Sequence, residues 1–315
     1  MVVGGRFVGI LGAGAVGSAT GARLKMLGFR PVLLGRSGIV TRSIQFHGWD
    51  MIVKMEPESS QSLKKVEALF VTVKAFDLVA SIEAVLEKIP RNIPIVTLSN
   101  GAIESELKEL ARKHGEWIWR KGVCFAGSFR LGPSEFSLGS PNGYIVFGSL
   151  EGRLGVTEKS NIEAQITQLD SNSFFRWSED AIVESRKKWV YNVVINTLCT
   201  VHSLGRNGLL LERESEIKSV HEEAYRLAQE MWGPWPADFS CEDSCKSLLD
   251  LINLTSDNEN SMYRDSQDNK QTENEYLAVV ACKYQGYPLL QALSVQINHL
   301  LSPNLLENKV SQDHK

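Results

Sequence analysis

Apolar residues along this chain fall into two regimes. Up to about residue 178 short apolar runs alternate with amphipathic stretches, and from Glu179 onward the short runs stop. RFVGILG, RPVLLG, ALFVTV, IPIVTLS and NGYIVFGS are brief, bounded by glycine, proline or polar residues, and read as strands. Between them AVGSATGARLKMLG, DLVASIEAVLEKI, ESELKELARKHG and NIEAQITQLDS repeat their apolar residues at helical spacing. Gly28 and Gly115 stand where the first and third of these helices should stop. Strand and helix in alternation predict βαβ units around a parallel sheet. DAIVESRKKWVYNVVINTLCTVHSL, SEIKSVHEEAYRLAQEMWG, CKSLLDLINLT and TENEYLAVVACKYQG all favour helix. The expected fold is therefore an α/β domain over residues 1–175 and an all-α domain over 176–315, with the boundary near 172–180. One polar stretch of low complexity, TSDNENSMYRDSQDNKQTE, reads on composition as a solvated loop.

Composition narrows the function classes. A chain of 315 residues has room for two domains. It is 43% hydrophobic and 23% charged with a formal net charge of -3, which gives no reason to expect nucleic acid or an anionic membrane as partner. No apolar run reaches the roughly 20 residues that span a bilayer. The opening MVVGGRFVGILGAGAVG has no charged start, apolar block and cleavage site of the secretory kind, so a cytoplasmic location is expected. Cys124, Cys199, Cys241, Cys245 and Cys282 are an odd, dispersed set. Cys241 and Cys245 share a helical face, yet no second Cys/His pair stands at zinc-ligand spacing, so reduced thiols and no metal are expected.

The first strand ends in Gly12-Ala13-Gly14-Ala15-Val16-Gly17, a G-x-G-x-x-G turn before an amphipathic helix. In that setting the first glycine permits a tight turn and the second lets backbone approach a pyrophosphate. The third lets helix and strand pack closely, with the phosphates at the positive helix N-terminus. Alone the motif is weak; between a strand and a helix, with a second strand following, it predicts a Rossmann-type dinucleotide site. That second strand runs into LLGRSG, with Arg36 where NAD binders usually place an acid. An arginine fork suits a 2′-phosphate, and NADPH/NADP+ is the expected cofactor. Lys74 follows ALFVTV and Asn100-Gly101 follows IPIVTLS. Both sit at the carboxyl ends of predicted strands, where open parallel sheets bind ligands, although a helix start and a plain turn would account for them too.

The all-α half carries its own polar signal. In KKWVYNVVINTL, Lys188, Asn192 and Asn196 fall four residues apart and share one face of an otherwise oily helix. Burying an amide without a partner costs about 1–3 kcal/mol and an unpaired charge more, so the stripe needs a polar counterpart. A structural network or an exposed stripe would supply one. So would a substrate: a protonated lysine can stabilise and protonate an oxygen that gains charge during hydride transfer, while asparagines orient a carboxylate and a hydroxyl.

The glycine turn, VTVKAFD, LSNG, KKWVYNVVINTL and SMYRDSQDNKQTENEYL together resemble the ketopantoate reductase (2-dehydropantoate 2-reductase) family over nearly the whole chain. The resemblance implies a Rossmann domain followed by a helical domain. It also implies NADPH-dependent reduction of 2-dehydropantoate to D-pantoate in the pathway to pantothenate and coenzyme A. It makes Lys188 the general acid and Glu273 a catalytic partner that interacts with it. Asn192, Asn196, Asn207, Asn258 and Ser261 become substrate residues, Asn100 a cofactor and substrate contact, and Lys74 a cofactor-side residue. The polar stretch becomes a segment that ends at the cleft and enters the last helix at Glu273. The chain departs from the family's pattern at Thr197, where proline is usual, and at Ala278 and Val279, where asparagine and glycine are usual. These departures bear on which keto acid is taken. The alternatives are a reductase of another branched 2-keto acid, and a non-catalytic NADPH-binding sensor. A small 2-keto acid is the expected partner, and the protein a monomer or homodimer.

Overall fold

A computed structural model describes residues 5–41, 43–139, 142–152, 158–171 and 173–312, with backbone alone over 302–312. The chain divides into two compact units, Met1–Ser185 and Arg186–Lys315.

The first unit is built in chain order from β1 (Phe7–Leu11), α1 (Ala15–Met26), β2 (Arg30–Gly35), β3 (Gly38–Ile39), β4 (Ile44–Gly48), β5 (Met51–Met55), β6 (Val66–Val71), α2 (Leu78–Leu86), β7 (Pro94–Thr97), α3 (Glu104–Lys113), β8 (Ile118–Cys124), β9 (Ser128–Gly132), β10 (Glu135–Leu138), β11 (Ile145–Ser149), α4 (Asn161–Leu169) and β12 (Phe175–Trp177). Among the described residues the main sheet runs β12-β11-β8-β7-β6-β1-β2-β3, and a second sheet runs β5-β4-β10-β9. Strands β2, β1, β6, β7 and β8 are parallel neighbours; the alternating pattern predicts the first four, and β8 is an addition to them. The sheet as a whole is mixed, because β11 pairs antiparallel with β8 and β3 antiparallel with β2. Among the described residues no helix separates β8 from β11; the chain between them makes β9 and β10 instead, so β11 is free to return antiparallel. Strand β1 has β2 on one side and β6 on the other, so chain order reverses at its carboxyl end. Ligands of open α/β sheets bind at such a switch point.

The second sheet and β8 have no clear apolar signature in the sequence. Strands β4 and β5 form a hairpin whose two loop residues, Trp49 and Asp50, both have positive φ (51° and 60°). Such loops normally advertise themselves as Asn-Gly, and here neither position is glycine. Strand β8 carries Arg120 and Lys121 at its centre, only 2% and 1% exposed. Arg120 is neutralised by Glu163 of α4, Nε to Oε1 at 2.9 Å, and donates to the Glu158 carbonyl at 2.8 Å. Glu163 also closes a capping box with Ser160 at the start of α4. A second buried pair, Arg23–Asp170, joins α1 to the end of α4, and Asp170 accepts from the Phe175 amide at 2.7 Å. Arg120 with Glu163 and Arg23 with Asp170 are thus buried as pairs, and removing either partner of such a pair costs about 3–5 kcal/mol.

The second unit is helical: α5 (Ala181–Val201), which begins just before its boundary, then α6 (Glu214–Trp232), α7 (Cys241–Leu254), α8 (Ser261–Gln267) and α9 (Pro288–Gln312). Two expectations are corrected here. TENEYLAVVACKYQG is not an α-helix but two short 3-10 turns, Asn274–Tyr276 and Ala278–Lys283, broken at Leu277 (φ -119°, ψ -106°). Accordingly Glu273 does not open the last helix. That helix starts at Pro288, after Gly286 at φ +90°, and Glu223 accepts from the Leu289 and Leu290 amides at 3.2 and 3.0 Å. The polar stretch is also more ordered than its composition implies, since α8 lies within it.

Candidate active site

The glycine turn meets three separate steric demands. Gly12 adopts φ +109°, donates its N–H to the Leu34 carbonyl at 2.8 Å, and a Cβ there would lie 2.7 Å from the Thr72 Oγ1. At Gly17 a Cβ would lie 1.9 Å from the Gly12 carbonyl oxygen, so α1 can approach the turn only through a glycine. At Gly14 a Cβ would meet nothing within 4 Å. The second glycine is thus not needed for packing; it lines open space at the N-terminus of α1. That N-terminus has no side-chain cap and no acid in its first turn, so its orphan N–H groups and positive dipole end face the same space. Gly12 to Gly17, with Ala13, Ala15 and Val16 between, therefore fit a pyrophosphate. Thr72, just past β6, holds the turn by donating to the Gly12 carbonyl at 2.7 Å.

Arg36 lies just beyond β2 with its side chain 89% exposed, and its Nη2 donates to Asp77 Oδ2 at 3.2 Å. An ion pair this exposed is worth about 0–1 kcal/mol, so the guanidinium can be redirected to a ligand at little cost. Lys74 follows β6 and Asn100 follows β7, both half-buried. Their neighbours are bonded together: Ser99 Oγ donates to the Val73 carbonyl at 2.6 Å, and Lys121 Nζ donates to the Ser99 carbonyl at 3.2 Å. The two strand ends thus form one fixed rim.

In the helical unit Lys188, Asn192 and Asn196 all lie on α5, which is unbroken from Ala181 to Val201. Other polar groups on this helix satisfy themselves locally. Thr197 bonds back to the Val193 carbonyl, Thr200 to the Asn196 carbonyl at 2.7 Å, and burial pushes the Cys199 thiol up to about 12, leaving it inert at neutral pH. The asparagine side chains behave differently. Asn196, 8% exposed, uses its Oδ1 to accept from Asn260 Nδ2 at 3.0 Å. Among the described residues the Asn196 Nδ2 and the half-buried Asn192 amide make no hydrogen bond. Asn196 thus belongs in part to a structural network, through its Oδ1, and keeps an Nδ2 donor without a protein partner among the described residues.

Asn260 also brings the remaining substrate candidates together. Its Nδ2 reaches Asn207 Oδ1 at 3.4 Å, and its Oδ1 caps α8 by accepting from Met262 and Tyr263 amides at 3.1 and 3.0 Å. Ser261, exposed, is the first residue of that helix. The Asn207 backbone N–H donates to the Asn258 carbonyl at 3.1 Å, and Gly208 packs so closely that a Cβ would lie 2.7 Å from the Ser256 Cβ. Glu273 is 5% exposed, and its segment is tied to α5 by Trp189, whose Nε1 donates to the Tyr276 carbonyl at 2.9 Å.

Residues 8–152 match the model of the ketopantoate reductase PanE/ApbA family, and residues 181–284 match its C-terminal part. The chain belongs to this family. A comparison with curated proteins finds no match. Solved structures share the family's fold. A PanE/ApbA family ketopantoate reductase from Ralstonia eutropha superposes at TM-score 0.79 with 17% identity, over 95% of this chain and 99% of that one. The 2-dehydropantoate 2-reductase of Methylococcus capsulatus gives 0.75 and 18%, over 95% and 97%. D-mandelate dehydrogenase, solved with NADH and anilino(oxo)acetate, gives 0.77 and 16%, over 95% and 99%. Among the described residues no helix is long and apolar enough to cross a membrane, and no group of three or more His, Cys, Asp or Glu is placed to hold a metal ion.

Four residues that hold the candidates in place carry no mark in the motifs above: Thr72, Asp77 and Lys121 in the first unit, and Asn260 in the second. Asn260 alone left a usable signal, an asparagine directly before Ser261-Met262, which is an N-cap pattern. Thr72 and Lys121 act on backbone carbonyls distant in sequence, and Asp77 acts on Arg36, so no local pattern marks them.

Proposed function

We propose that the chain is an NADPH-dependent reductase that converts 2-dehydropantoate to D-pantoate, in the route to pantothenate and coenzyme A. The observation that carries this reading is the α5 stripe: a lysine followed by two amides that keep unpartnered donors while every threonine on the helix is satisfied. A wall of that kind suits an anionic, oxygen-rich ligand. Lys188 protonates the oxygen that gains charge at C2, and its own charge stabilises that oxygen beforehand. Asn192, Asn196, Asn207, Asn258 and Ser261 orient the substrate, Asn100 contacts both ligands, and Glu273 balances the lysine charge. On the cofactor side Gly12–Gly17 receives the pyrophosphate, Arg36 the 2′-phosphate and Lys74 the neighbouring phosphates. NADPH supplies the hydride when bound.

A second reading keeps the chemistry and changes the keto acid. Thr197, Ala278 and Val279 support it, and so does likeness of fold to a D-mandelate dehydrogenase solved with an oxoacetate ligand. Turnover of a panel of 2-keto acids with NADPH and with NADH tests both readings. The expected result is the highest kcat/KM for 2-dehydropantoate with NADPH, and loss of the NADPH preference in Arg36→Ala. A better aromatic or unbranched acid moves the protein to the second reading. Tight NADPH binding without turnover of any acid would leave a sensor, and equal affinity for NADH would remove the role of Arg36.

A further inference from the structure

We infer that Asn260 sets the hydrogen-bonding polarity of Asn196 and so selects a substrate that presents a carboxylate to it. The inference rests on the proposed reading of the α5 stripe as the substrate wall.

An amide side chain looks much the same either way round, and its orientation has to be derived from its partners. At Asn260 the derivation is unambiguous. Its Oδ1 faces the Met262 and Tyr263 amides at 3.1 and 3.0 Å, and a backbone N–H only donates. The other end of the amide is therefore the NH2, and it faces Asn196 Oδ1 at 3.0 Å and Asn207 Oδ1 at 3.4 Å. With two bonds accepted and two donated, Asn260 has no spare capacity. Asn207 is locked in the same sense. Its Nδ2 donates to Thr255 Oγ1 at 3.2 Å, and that hydroxyl spends its own hydrogen on the Leu251 carbonyl at 2.7 Å.

Direction therefore passes from the start of α8 through Asn260 to α5. Asn196 must turn its oxygen toward Asn260 and its NH2 away, and that NH2 is the one group in the relay without a partner among the described residues. Whatever lies opposite has to accept. A carboxylate oxygen does so with full negative charge, whereas a primary amide offers a weaker acceptor and a competing donor. Asn260 touches no reacting atom in this scheme. It is a positioning residue, acting through Asn196.

Asn260→Asp separates this role from the structural one. Aspartate caps a helix as well as asparagine does, so α8 keeps its cap, but Asn196 must now rotate and present its oxygen. The measurement is the calorimetric Kd of 2-dehydropantoate and of its primary amide on NADPH-saturated protein, which needs no turnover. In the variant the preference for acid over amide should fall roughly 10- to 100-fold, the scale of a hydrogen bond to a charged group, with the Kd of NADPH within about twofold of wild type. Asn260→Ser keeps a capping oxygen but cannot reach Asn196, and should lose several-fold of the preference. It decides alone if Asn260→Asp does not fold. An unchanged acid-to-amide ratio in a folded variant overturns the inference. Wild-type protein that binds the acid without reducing it overturns the proposed activity and leaves this test standing, whereas wild type that binds neither ligand overturns both.

Discussion

The three glycines of the turn should fail in different ways when each is replaced by alanine, and the contrast between Gly14 and Gly17 is the sharpest. At Gly17 the new Cβ would sit 1.9 Å from the Gly12 carbonyl oxygen and 2.7 Å from Thr72 Oγ1. Backbone on one side and a hydrogen-bonded threonine on the other leave nothing soft to move. Overpacking of this kind costs about 1–3 kcal/mol, and disturbing the Thr72 bond to Gly12 adds about 1 kcal/mol. At roughly 2–4 °C per kcal/mol for a unit of this size, Gly17→Ala should melt about 5–15 °C below wild type. Gly14 has φ -85° and ψ -165°, open to any residue, and its Cβ would touch nothing. Alanine there gains about 0.4–1 kcal/mol by restricting the unfolded chain and loses a similar amount as a poorer N-cap. Stability should stay within about 1 kcal/mol of wild type. The methyl group would nonetheless occupy the space assigned to the pyrophosphate, and NADPH affinity should drop at least about 100-fold, or about 2.7 kcal/mol. Calorimetric melting of the free protein and a fluorescence titration with NADPH read the two effects separately. A Gly14→Ala protein that binds NADPH like wild type, or melts as low as Gly17→Ala, would refute the assignment.

Two further outcomes are expected. Lys188→Ala should remove most of kcat on 2-dehydropantoate, at least about 100-fold for loss of a general acid, while the Kd of NADPH stays near wild type; unimpaired turnover would dismiss Lys188 as the proton donor. His221, 1% exposed between Ser244 and Cys241 and bonded to Ser244 Oγ at 2.8 Å, is pushed down to about 4 by burial. Its folded pKa lies below the ordinary 6.5, so its stabilisation is complete above that pH and is lost as pH falls toward 4. Between pH 7.5 and 5 the loss should be about 2 kcal/mol, read as the extra shift in urea midpoint of wild type over His221→Gln; equal shifts would place a charged imidazole at this position.

Much of this protein is written in local pattern. The parallel strands β1, β2, β6 and β7, the helices that follow them, the glycine turn and the Lys188-Asn192-Asn196 stripe each depend on spacing within a few residues, and such spacing is visible in a short window. Glycine's identity likewise announces the turn, because Gly12 and Gly17 meet demands that no other residue can meet. What tertiary structure decided is of another kind. Arg120 and Lys121 look like surface charges until Glu163 and the Ser99 carbonyl arrive from elsewhere in the chain. TENEYLAVVACKYQG has helical spacing, yet the break at Leu277 and the separate start of α9 at Pro288, held by Glu223, divide it. A polar stretch that composition assigns to solvent becomes the cap, α8 and the relay through Asn260. Periodicity reports which face of a segment is apolar, because that property belongs to neighbours in sequence. Which way an amide points, and whether a charge is buried, depends on partners some 20 to 65 positions away, and only the folded chain brings those within hydrogen-bonding reach.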